Sequence, residues 1–182
     1  MGKRVHGLAV WFLYLTALRP GELSLMKREH VEPHQFTVLG KGTKGQRKRI
    51  RFFPLRNAEN EPLFPEIGEI LEEVQSQRFL HRQGYVWPWA YPSVLQEEFR
   101  KACVACGIWM QRVGDDGQRY HRTLHTLRGS AEKRWEALGF SDRLIEDLAG
   151  HRGAVRQKHY REQQQQAADL SKRIEMERVK NT

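Results

Sequence analysis

Apolar residues recur at helical spacing through positions 4–16 (RVHGLAVWFLYLT), where Val5, Leu8, Ala9, Phe12 and Leu15 fall on one side. Residues three and four apart share a helix face, so the pattern predicts a helix that buries this stripe. Pro20-Gly21 breaks it, and Glu22 to Met26 start a second helical stretch. Pro20 disfavours helical geometry at Arg19, which holds that residue at a bend. Phe36 to Leu39 and Arg49 to Phe53 are β-rich and flank GKGTKGQ, which predicts a hairpin over 36–54. Residues 64–78 return to helical spacing, with Ile67, Ile70, Leu71 and Val74 inward and Glu66, Glu69, Glu72 and Glu73 on a solvated face.

The loop over 80–92 supplies Trp87 and Trp89 as packing anchors, and Ser93 can cap a helix running to about Cys106. GDDGQ marks a turn within 107–120. The next helix begins at Thr123 or His125 and runs to about Leu138, with Leu124, Leu127, Ala131 and Trp135 inward and Gly139 ending it. Ser141 caps a further helix, Asp142 to Ala149, which Gly150 ends. After Tyr160 the chain is polar and helix-prone. Its sparse stripe of Leu170, Ile174 and Val179 suits either weak packing on its own domain or docking on another subunit. No internal repeat is evident.

Composition narrows the function. The 182 residues suit one domain, and 31 Lys plus Arg against 22 Asp plus Glu give a net charge of +9. A basic domain of this kind usually meets a polyanion, most often nucleic acid. Two Cys are too few for a disulfide scaffold, which points to a reducing, intracellular setting. No apolar run approaches the roughly 18 residues of a membrane span. Gly7 to Leu18 lacks the cleavage site of a signal peptide. The Met-Gly-Lys start runs almost at once into an apolar helix, as if cut from a longer protein with an upstream domain.

The hairpin concentrates Lys41, Lys44, Arg47, Lys48, Arg49 and Arg51. Gly40 and Gly42 flank Lys41, so backbone can approach a ligand there. The basic hairpin reads either as a strand edge protected by charge or as a surface lying on a phosphate backbone.

Two constellations compete for the remaining chemistry. Cys103 and Cys106, followed after fourteen residues by His121 and His125, fit the loose spacing of a zinc site. Yet Cys103 continues an apolar helix face with Phe99, as a small hydrophobe would. The second constellation is Arg19, Lys41, His125, Arg128, His151 and Tyr160. Two guanidinium groups can clamp the non-bridging oxygens of a phosphodiester and stabilise a five-coordinate transition state. No cluster of carboxylates is evident to hold Mg²⁺, which favours a metal-free route with Tyr as nucleophile and His as proton acceptor. Each residue also has a plainer role open to it. Arg128 can pair with Glu132, His151 can sit at a helix C-terminus, and Tyr160 can be a packing residue.

Taken together, TALRPGEL (16–23), LGKGTKGQRKRIRFFPL (39–55), HTLRGS (125–130) and LAGH followed nine residues later by Tyr160 resemble the tyrosine recombinases, the phage-integrase family. The likeness runs from about Val5 to Tyr160. It implies an α+β fold, mostly α-helical, with a small antiparallel β-hairpin near the N-terminal third. It implies a catalytic domain over 1–162, a helical tail over 163–182 exchanged between subunits, and an N-terminal core-binding domain absent from this chain. Arg19, Arg128 and His151 would stabilise the transition state. Lys41 would be the general acid, with Lys44 a second candidate, and His125 would assist. Tyr160 would form a 3′-phosphotyrosyl link to DNA. Lys44, Arg47, Lys48 and Arg49 would bind DNA, and no metal or other cofactor would be required. The partners implied are double-stranded DNA and a homo-tetramer formed on it, in the cytoplasm or nucleoid of a bacterial or phage-infected cell. A type IB topoisomerase, or a non-catalytic DNA-binding module with zinc on Cys103, Cys106, His121 and His125, are the alternatives. The sequence departs from the family at Ala17, usually Gly, at Gly129, usually His, and at Ala149, usually Leu. Gly45 and Gln46 lengthen the hairpin.

Overall fold

The computed structural model describes residues 2–39, 50–77, 83–108, 110–113, 117, 119–150 and 170–177. Its central element is helix α1 (Gly2–Thr16), whose Val5, Ala9, Phe12, Leu13 and Leu15 are fully buried. Helix α1 packs on α3 (Pro65–Ser76), α4 (Pro92–Ala105) and α5 (Thr126–Ala137). Two shorter helices are α2 (Pro20–Ser24) and α6 (Asp142–Ala149), the latter packed on α5.

Strands β1 (Gln35–Leu39) and β2 (Ile50–Pro54) pair antiparallel, from Gln35 opposite Pro54 to Leu39 opposite Ile50. Phe36, Val38 and Phe53 are the buried apolar side chains of this sheet. Phe36 stacks on Phe53 at 5.1 Å between ring centroids, and Phe36 meets Phe12 of α1 at 5.5 Å. Phe53 meets Trp135 of α5 at 6.3 Å. These aromatic contacts join the sheet to α1 and α5 through one core, and such pairs add about 0.5–1.5 kcal/mol each beyond their area. Backbone bonds from Arg28 to Gly84 and from Val86 to Met26 bring the aromatic loop alongside, and Trp87 enters the core beside Phe12. The expected α+β class is the one observed.

Several boundaries follow from chemistry. Pro occupies the first turn of α2, α3 and α4, where a missing N–H costs nothing. Ser93 therefore lies inside α4 rather than capping it, and Tyr91 is the cap residue, with no side-chain cap bond. Ser141 caps α6 as expected, accepting from Leu144 N, and Gly150 ends it with φ 70°. The acidic side of α3 is not wholly solvated. Glu66 pairs with Arg134 of α5 at 3.3 Å, and Glu73 pairs with Arg4 of α1.

Residues 107–120 hold more than a turn: β3 (Gln111–Val113) and β4 (Arg119–His121) form a second antiparallel hairpin. Between the two strands, residues 114–116 and 118 lie outside the described residues. The zinc alternative finds no ligand set. Cys103 is buried on α4, Cys106 is exposed, and among the described residues no group of three His, Cys, Asp or Glu comes together.

The tail segment 170–177 is helical and packs on this same chain. Ile174 is fully buried, Ser171 Oγ donates to the Arg56 carbonyl at 3.2 Å, and Arg173 pairs with Asp147 of α6 at 2.6 Å. Glu177 accepts from Ser141 N at 2.6 Å. Among the described residues no helix is long and apolar enough to cross a membrane.

Gly129 is exposed within α5, and a Cβ added there meets nothing within 4 Å. Glycine inside a helix costs about 0.5–1 kcal/mol relative to alanine. Gly129→Ala is therefore expected to stabilise the chain by about that much. Thermal unfolding checks it; a lowered midpoint would contradict the placement.

Candidate active site

The site forms where the end of α1 meets the end of α6. Ala17 closes α1 in the left-handed region, at φ 51°. A residue with a side chain is strained there by about 1–2 kcal/mol, which explains why a Gly suits this position of the motif. The reversal leads into Arg19, the cap residue of α2. Arg19 N donates to Glu22 Oε2 at 2.8 Å, and Arg19 Nη1 pairs with Glu22 Oε1 at 3.4 Å. The Glu22 carboxylate thus satisfies an N–H that has no partner within the helix. The Arg19 side chain is 44% exposed and opens outward.

Arg128 lies in the first turn of α5, with its side chain 6% exposed. Its Nη1 donates to the Ala17 carbonyl at 2.8 Å and its Nη2 to the Ala149 carbonyl at 2.6 Å. Its Nε pairs with Glu132 Oε1 at 3.4 Å, one turn on. The plainer Arg128–Glu132 pairing is therefore present, but as one arm of a longer connection. A single guanidinium spans α5, the Ala17 turn and the C-terminus of α6. His125 caps α5 three residues before Arg128, on the same side of its first turn, and is exposed. The Leu124 amide before it is held by Gln96 of α4 at 2.9 Å.

A residue outside the expected set completes the arrangement. Arg51 points inward from β2, and its side chain is 9% exposed. Its Nη2 donates to the Thr16 carbonyl at 2.6 Å and to the Leu148 carbonyl, and its Nη1 to Ala17 at 3.4 Å. Glu22 Oε2 lies 4.0 Å from Nη1, and the guanidinium sits 5.9 Å over the Phe53 ring. Burial pushes the Arg51 pKa down to about 9, and the nearby charges of Arg128 and Arg19 push the same way, while Glu22 and Glu132 oppose them. As one of the basic residues of the hairpin, Arg51 was expected to face solvent or phosphate. Strand alternation carried the contrary signal: Arg51 and Phe53 share one face, and Phe53 is core.

The structure thus gathers Arg19 and Arg128 around one turn and sets His125 beside Arg128. Lys41, Lys44, Arg47, Lys48, Arg49, His151 and Tyr160 lie outside the described residues. His151 follows Gly150 directly in sequence.

No family model and no curated protein sequence matches the chain. Solved structures match it in fold. The catalytic core of lambda integrase superposes with TM-score 0.60 at 18% identity, covering 86% of this chain and 85% of that one. An integrase from mycobacterium phage Brujita gives TM-score 0.61 at 17% identity, covering 94% of this chain and 52% of that one. A lambda integrase (75–356) dimer bound to a COC′ core site gives 0.58 at 18% identity, covering 86% and 55%. The chain thus spans about half the length of these last two proteins. Its fold is that of the tyrosine-recombinase catalytic domains.

Gly150 is held on two counts: its φ is 70°, and an added Cβ would lie 3.2 Å from Arg51 Cδ. Gly150→Ala is expected to cost about 2 kcal/mol, from the left-handed strain and the displaced Arg51 stem. That is a fall of about 4–8 °C in the unfolding midpoint. An unchanged midpoint would contradict the close approach.

Proposed function

We propose that the chain is the catalytic domain of a site-specific DNA recombinase of the tyrosine-recombinase family. The observation that carries this is the Arg128 bond to the Ala17 carbonyl, two residues before Arg19. Two arginines far apart in sequence meet at one turn, within a fold that integrases share. The net charge of +9 adds attraction for a polyanion.

In this reading the Tyr160 hydroxyl attacks the scissile phosphorus. A phosphorus–oxygen bond to Tyr160 forms, and the bond to the 5′ oxygen breaks. Tyr160 gives up its proton as it attacks, with His125 assisting the transfer. The 5′ oxygen takes a proton from Lys41, or from Lys44 if the longer hairpin shifts the register. Arg19, Arg128 and His151 neutralise the charge on the non-bridging oxygens, where paired guanidinium forks act bidentately. The phosphotyrosyl ester keeps the bond energy, so a second 5′ hydroxyl can reverse the step on a new strand. Lys44, Arg47, Lys48 and Arg49 bind the DNA backbone, which makes affinity fall steeply with salt. The working assembly is a tetramer on two duplexes, in which the 163–182 tail leaves the place that its residues 170–177 take on their own chain and passes between subunits.

The test uses a pool of nicked duplexes randomised around the nick, so that cleavage releases a short 5′-hydroxyl fragment and traps the adduct. Wild type is expected to give a covalent protein–DNA band on a denaturing gel, and Tyr160→Phe none, with DNA binding nearly unchanged. An adduct that persists in Tyr160→Phe would rule out Tyr160 as nucleophile. Arg128→Lys should slow adduct formation on the order of 100-fold or more, because a point charge cannot replace the fork. Wild-type rates in that variant would remove Arg128 from the chemistry.

A further inference from the structure

Arg51 is a nearly buried cation to which the proposed reaction gives no part. Its donors reach three carbonyls on two segments: Thr16 and Ala17 at the end of α1, and Leu148 at the end of α6. The same two segments are joined by Arg128, through Ala17 and Ala149. The two guanidinium groups therefore form parallel straps, and the Ala17 carbonyl accepts from both. One strapped segment leads into Arg19, and the other ends at Gly150, the residue before His151.

Burying this guanidinium is itself costly, and its bonds to the three carbonyls have to offset that cost. Arg51 Nε is buried without a hydrogen-bond partner among the described residues, a further cost. A direct hold on substrate is a poor account, since Arg51 Nη2 gives both of its N–H groups to the Thr16 and Leu148 carbonyls, where each terminal nitrogen of Arg128 gives one to a carbonyl, and Arg51 Nη1 faces Ala17. What the planar fork does that an aliphatic chain cannot is bind two segments at a set spacing and angle.

We infer that Arg51 is a positioning residue for strand transfer, holding the Arg19 turn and the end of α6 in the register at which Arg19 and Arg128 meet one phosphate. The inference rests on the recombinase reading above. Arg51 acts through those two arginines, and a displacement of about 1 Å at such a site costs on the order of 100-fold in rate.

The experiment compares wild type, Arg51→Met and Arg51→Lys on a nicked duplex that the wild-type chain captures from the randomised pool. Single-turnover adduct formation is measured at saturating DNA, with DNA affinity and thermal unfolding recorded for each protein. The same duplex is then made with a methylphosphonate at the scissile position, which removes the charge that the paired arginines neutralise. Both variants are expected to bind DNA within about threefold of wild type and to cleave the phosphate on the order of 100-fold more slowly. On the methylphosphonate the deficit should shrink, since alignment of two guanidinium groups then matters less. Wild-type cleavage by a folded variant overturns the inference and leaves the recombinase reading standing. A deficit equal on both substrates also overturns it, because Arg51 would then serve the fold and not charge alignment. If Arg51→Met does not fold, Arg51→Lys decides on the same criteria, and unfolding of both overturns it. No adduct from wild type at all sinks the recombinase reading and the inference with it.

Discussion

Carbonyls at the end of a buried helix have no partner within it, and the candidate site is built on how this chain supplies one. The last carbonyls of α6 and those of the turn after α1 lie against each other, and two arginine side chains bind both sets. An arginine fork can bridge two such acceptors, and the negative end of a helix dipole favours the cation that does so. Two positive charges near each other also repel, with burial adding to the cost on Arg51. Glu22 and Glu132 offset part of it, Glu22 facing both Arg19 and Arg51 and Glu132 pairing with Arg128. The fold thus keeps a positive centre, with Arg19 at its open edge.

The elements that place this centre were largely visible in the sequence. Period-3.6 patterns fixed α1, α3 and α5, because one face of each is core. Ser141 and Gly150 marked the ends of α6 by cap chemistry that acts locally. The β3–β4 hairpin escaped because its three-residue strands are too short to show alternation, and RYH carries no apolar face. The ion pairs of Glu66 and Glu73 on α3 escaped because Arg134 and Arg4 are distant in sequence, and local pattern holds no record of such partners.

Arg51 shows the same limit at the site. Within RKRIR it is one more basic residue, and charge alone assigns it to solvent or to DNA. The register of β2, which pairs Arg51 with Val38 and sets it on the Phe53 face, turns it inward, as strand alternation from Phe53 implies. The departures from the family motif also take physical form. Ala17 occupies a left-handed position, and its carbonyl is the acceptor common to both arginines. Ala149 is buried and lends its carbonyl to Arg128. Gly129, by contrast, faces open space and bears on helix stability alone.

The coupling of the two segments through guanidinium groups is the claim on which the rest turns. Amide hydrogen exchange in Arg51→Met against wild type measures it directly. The account predicts that exchange quickens together over the residues after α1 (17–25) and over α6, while the core of α3 is unchanged. Faster exchange confined to β2, with both segments as protected as in wild type, would contradict it.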